Sequence, residues 1–161
     1  MRTHRKFQEA FELIEKGYRY QRKGAIQQAI RIYKASLKVL PTAEGHTHLG
    51  WAFSLQGEYK AAIYECYLAI ELDPDYGNPY NDLGYYFLIF KNYEKAISWF
   101  LKALEANRYD DKHIALFNLG RVYELQGKWE TAVEYYYQSF EKKPSFKDAS
   151  YAVLRLQALL N

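Results

Sequence analysis

The sequence predicts an all-α protein built as a stack of antiparallel helix pairs, and three observations carry that prediction. A glycine recurs in step at Gly17, Gly50, Gly84 and Gly120, with intervals of 33 to 36 residues. Twelve residues after each stands an alanine (Ala29, Ala62, Ala96, Ala132), and twelve after three of those a proline (Pro41, Pro74, Pro144), Arg108 holding the fourth place. Between these marks, apolar residues recur three and four apart, as in Tyr59, Ala62, Ile63, Cys66, Ala69 and Ile70, which is a helical stripe and not the alternation of a strand. A unit repeating at this period is too small to bury its own apolar face, so neighbours must stack.

The elements follow in order. Residues 3–9 read as a helical extension into the first unit, and the units run over about 10–42, 43–76, 77–112 and 113–146. Within each, two helices are parted by a breaker: Gly24, Gly57, Lys91-Asn92 and Gly127. Glycine suits a helix end because it enters the left-handed region freely. The proline ends the second helix, since the residue before it is biased away from helical angles. Gly at position 8 and Ala at position 20 are small, which lets the two backbones of a pair approach closely. The third and fourth units are joined by a longer turn, Arg108-Tyr109-Asp110-Asp111, in place of the proline. Residues 147–160 form one unpaired helix with Ala149, Ala152, Val153, Leu156, Leu159 and Leu160 on one face, expected to cap the fourth unit. Leu154, where a full repeat has Gly, lies with Tyr151 and Ala158 away from that face. The whole chain, 1–161, reads as a single domain.

These marks resemble the tetratricopeptide repeat. The family's Trp-x-x-Leu-Gly-x-x-Tyr opening is matched by His46-x-x-Leu49-Gly50-x-x-Phe53, Tyr80-x-x-Leu83-Gly84-x-x-Phe87 and Leu116-x-x-Leu119-Gly120-x-x-Tyr123. The first copy, Leu13-x-x-Lys16-Gly17-x-x-Tyr20, is degenerate, as terminal repeats often are. The resemblance implies a right-handed superhelical stack, an α-solenoid, and a non-enzymatic adaptor or scaffold whose concave groove binds a partner peptide. It also implies where that groove lies, on first-helix positions 2, 5, 9 and 12. Carried onto this chain, the groove comprises Tyr18, Thr47, Trp51, Asn78, Asn81, Tyr85, Phe117, Arg121, Tyr151 and Arg155, with Ile14 also at position 5. Aromatic, amide and Arg side chains are the mix of interface hot spots. Members that clamp chaperone tails carry Lys, Asn and Arg where this chain has Ile14, Tyr18, His48, Asn78 and Asp82, so that clamp is not expected. The alternatives are a self-assembling homo-oligomer, motivated by Leu154, and a chaperone for a secreted or assembling client.

Composition bounds the rest. Net charge is only +3, with the four-residue cluster Arg2, His4, Arg5 and Lys6 read as a solvated helix start, so no nucleic-acid partner is expected. No apolar run approaches a membrane span and no leader is visible, which with the single Cys66 leads us to expect a soluble, cytoplasmic protein. Cys66 sits at a core position and is expected to be a buried structural thiol. No catalytic motif is present, and no cofactor or metal is expected. His46 and His48 are two apart, so on a helix they project to different sides and cannot share one ion.

Overall fold

The computed structural model describes the backbone of residues 2–160 and side chains from residue 3, so the Arg2 side chain lies outside the described residues. These residues form helices and no strand. In order they are α1 (Arg2–Arg22), α2 (Ile26–Val39), α3 (Ala43–Leu55), α4 (Tyr59–Leu72), α5 (Asn78–Ile89), α6 (Tyr93–Glu105), α7 (Lys112–Leu125), α8 (Trp129–Lys142) and α9 (Lys147–Leu160). The expected extension is continuous with the first repeat, which makes α1 a 21-residue helix. The chain falls into two compact units, Met1–Pro79 and Tyr80–Asn161, the boundary lying in the first turn of α5.

The punctuation works as the sequence indicates. Gly24, Gly57 and Gly127 turn their pairs at φ between 73 and 78°, while Lys91 makes the same turn at φ 57° with a side chain attached. Leu40, Asp73 and Lys143, each followed by proline, are extended at φ −156, −147 and −147° and stop α2, α4 and α8. Thr42 starts α3 by accepting the Gly45 N–H at 3.0 Å.

In the first unit, α1, α2 and α3 enclose a core of Ile14, Ala29, Ile30, Tyr33, Leu49 and Ala52. In the second unit, Leu88, Ala96, Phe100, Leu119 and Val122 form one core, and Ala132, Tyr136, Ala152, Val153 and Leu156 join α8 to α9 in another. Thus α9 covers the fourth repeat as expected. Its covered stripe is narrower than the sequence suggests, because Leu159 and Leu160 stay exposed.

The repeated glycines meet something other than the paired alanine in three of four repeats. A Cβ on Gly17, Gly84 or Gly120 would lie 2.5–2.6 Å from the ring of Tyr33, Phe100 or Tyr136, the residue at position 24. At Gly50 an added Cβ would instead lie 3.1 Å from the Ala62 carbonyl oxygen, because position 24 there is the buried Cys66.

Candidate functional site

In the first unit α1 and α3 run side by side and present a ledge of rings. Tyr18 lies 6.2 Å from Trp51 and 5.9 Å from His48, whose imidazole stacks on Tyr33 at 5.4 Å. Arg22 sits 5.9 Å over the Tyr18 ring. Tyr18 and Trp51 are 38% and 41% exposed, so the ledge offers two aromatic faces to a ligand. Burial lowers the His48 pKa, Glu44 opposing, which keeps the ring neutral at pH 7. His46 points elsewhere, its Nδ1 2.6 Å from Glu65 Oε2. The two histidines therefore part as their spacing requires.

Thr47 corrects the sequence reading, because it is buried and spends its hydroxyl on the Ala43 carbonyl at 2.8 Å. Ile14 at the same repeat position is also buried, in the core with Ile30 and Leu49. Position 5 turns inward in this unit, whereas position 9 is the accessible row. Asn78 is partly buried at the start of α5.

In the second unit an amide-to-guanidinium chain crosses α5 and α7. Asn118 donates from Nδ2 to Asn81 Oδ1 and accepts from Arg121 Nη1, both at 3.3 Å, while Arg121 lies 5.9 Å over the Tyr85 ring. Asn81 in turn donates to Asp82, whose carboxyl is pushed up to about 7 by burial. Tyr85 is 39% exposed. Phe117 is partly buried against Tyr136 at 5.1 Å and Phe146 at 5.2 Å, so it forms a wall of the site.

Beside this chain, Phe117, Arg121, Tyr136, Asp148, Tyr151 and Arg155 line an open cavity of about 540 Å³ between α7, α8 and α9. The two arginines differ. Arg155 is committed, with Nη1 and Nη2 each 2.8 Å from one oxygen of Glu124, which also accepts the Tyr136 hydroxyl at 2.7 Å. Those bonds hold Glu124 below the usual carboxylate range, Arg155 contributing most. Arg121 is held by one amide and a ring, leaving its donors freer for an incoming carboxylate. Tyr151 stands 71% exposed at the rim.

Asn118 escaped the sequence reading, and Glu124 was read there only as a neighbour that could neutralise the arginines, without its bond to Tyr136. Asn118 lies three residues before Arg121 on α7, a spacing at which helical side chains meet, and Glu124 lies twelve before Tyr136, the spacing of Gln21 and Tyr33. Among the described residues no three His, Cys, Asp or Glu side chains gather as a metal site, and no helix is long and apolar enough to cross a membrane.

Two tetratricopeptide repeat models match the chain, over residues 14–77 and 75–145. The BBSome complex member BBS4 of Bos taurus is 28% identical over 122 residues, which are 75% of this chain. The chain spans only 23% of that relative. Pseudomonas aeruginosa PilF has the same fold at a TM-score of 0.87 and 24% identity, covering 94% of this chain and 68% of that one. The crystal structure of MamA matches at a TM-score of 0.70 and 28% identity, covering 87% and 81%. PilW, a type IV pilus biogenesis factor, matches at 0.84 and 21%, covering 94% and 70%.

Proposed function

The chain belongs to the tetratricopeptide repeat family, a protein-interaction scaffold, and from that premise we propose that its second unit captures an acidic segment of a partner protein without catalysing a reaction. The observation that carries this reading is the contrast between Arg155, held bidentately by Glu124, and Arg121, which lies beside a cavity of about 540 Å³ with Phe117 and Tyr151 as walls. A carboxylate would displace only the 3.3 Å bond to Asn118, while the flanking residue of the segment packs on the rings. In the first unit, the Tyr18 and Trp51 ledge suits an apolar anchor.

Selection of a displayed random-peptide library on the full chain, followed by calorimetry with the recovered peptides, tests the reading. Peptides rich in Asp or Glu are expected. Arg121→Glu should weaken them by about thirtyfold or more, the loss typical of a hot spot. Recovered peptides that lack acidic residues, or that bind Arg121→Glu as tightly as the wild type, would sink it. A second reading, self-association through α9, is favoured by Leu154 at 66% exposure and Tyr151 beside it. In the same series Leu154→Glu separates the two, since it spares peptide affinity under the first reading and dissociates an oligomer under the second.

A further inference from the structure

One edge of the second unit differs from the other in what it does with its large apolar side chains. On the edge carrying the α6–α7 and α8–α9 turns they fold inward: Tyr109 is 5% exposed, and Phe146 packs on His113 and Phe117. On the edge carrying the α5–α6 and α7–α8 turns they face out, with Ile89, Phe90, Leu125 and Trp129 between 37 and 59% exposed. The Asn81–Asn118 and Tyr85–Arg121 contacts fix α5 and α7 as parallel neighbours offset by 36 to 37 residues. That register places Ile89 next to Leu125 and brings both turns to the same edge.

The backbone of the turns themselves is satisfied, while α8 starts after Lys128 with no side-chain cap for its first N–H groups. Phe90, Lys91 and Asn92 donate their N–H groups to Tyr86, Leu88 and Phe87, and Gln126, Gly127 and Lys128 donate theirs to Val122, Glu124 and Tyr123. An edge whose turn donors are paired internally can lie at an interface that supplies acceptors to the first N–H groups of α8. It also offers no hydrogen-bond ladder to an extended peptide. Lys91, Lys95 and Lys128 surround the apolar side chains. The Lys95 and Lys128 ammoniums lie 5.2 and 5.7 Å over the rings of Phe87 and Tyr123, with their stems along apolar surface. The acidic residues of the edge, Glu94 and Glu130, sit in the first turns of α6 and α8, where they answer the helix N-termini.

We propose that this edge is a peripheral binding surface for an anionic lipid bilayer. Phe90, Leu125 and Trp129 enter the headgroup region, where aromatic side chains are favoured, and the lysines meet lipid phosphates. The site is separate from the Arg121 cavity and does not depend on it.

Co-sedimentation of the full chain with vesicles of phosphatidylcholine, alone or mixed with phosphatidylglycerol, is the test. Binding is expected with the mixed vesicles at low salt and little with the neutral ones. The double variants Phe90→Ser/Leu125→Ser and Lys91→Glu/Lys128→Glu change exposed positions. Each should cut binding about tenfold or more while the thermal melt holds. No binding by the wild type, or binding by either variant as strong as the wild type's, overturns the proposal. So does a dimer in vesicle-free chromatography that the apolar double variant dissociates, since the edge would then belong to a second copy.

Discussion

The first and fourth repeats solve the same packing problem with one residue changed. In both, a tyrosine at position 24 slides its ring under the glycine of the first helix and sends its hydroxyl on to position 12: Tyr33 to Gln21 at 3.0 Å, Tyr136 to Glu124 at 2.7 Å. In both, a serine at position 27 ties to the first carbonyl of the repeat, Ser36 to Ala10 at 2.8 Å and Ser139 to His113 at 2.7 Å. The inner repeats have Cys66 and Phe100 at position 24, with Ala69 and Ala103 at position 27, so they lack both ties. The difference between the outer two lies in the acceptor. Gln21 is neutral and buried, and its bond ends within the pair, whereas the Glu124 carboxylate also recruits Arg155 from the next helix. One amide-to-acid change converts a closed internal bond into a link that fixes α9 and occupies one of two arginines beside the cavity.

The shared part of the comparison should carry the largest effect. Gly17→Leu and Gly120→Leu each drive a branched side chain into a ring already 2.5–2.6 Å from where a Cβ would stand. Each should lose about 3 kcal/mol or more in urea titration, the upper end of overpacking. A loss at one site alone would show that the two cradles are not equivalent.

Removing the hydroxyls comes next in size. Tyr33→Phe leaves the Gln21 carbonyl buried without its donor, at about 1–2 kcal/mol. Tyr136→Phe leaves Glu124 with Arg155 still bound and a quarter of its side chain in water, so the cost should be smaller. The opposite order in chemical denaturation would mean that the charge of the acceptor outweighs its burial.

The repeat frame was legible because glycine, alanine and proline mark it at fixed intervals, and α9 falls on Lys147–Leu160 as the spacing requires. The site was legible only in part. Tyr18, Trp51 and Tyr85 at position 9 are exposed as expected. Thr47 is not, because a threonine can satisfy its hydroxyl on its own helix and then be buried like valine, which residue type alone does not show. The Gly17 partner was misplaced for a related reason: small-on-small spacing suggested a glycine–alanine contact, while the ring of Tyr33 fills that space. The commitment of Arg155 depends on which acid reaches it across helices, and Glu124 and Asp148 both line the cavity beside it.

The unshared part predicts a small effect with a definite sign. The bonds from Arg155 and Tyr136 hold the folded-state pKa of Glu124 below its unfolded value. Their stabilisation is therefore complete above the ordinary glutamate pKa and is lost as pH falls through the lower folded value. Gln21 cannot titrate, so the first repeat has no counterpart. Asp82 slopes the other way: raised to about 7, it keeps its proton in the folded state, so stability falls as pH rises from about 4 towards 7. A raw pH profile mixes the two, and the informative quantity is the difference between wild type and Glu124→Gln. Because Arg155 is half exposed, the gap should be below about 1 kcal/mol near neutral pH. It should close at acid pH, as the wild-type carboxylate takes up its proton below the lowered folded-state value. A gap of equal size at both pH values would mean that Glu124 acts through its shape and hydrogen bonding, and that its charge does not hold α9.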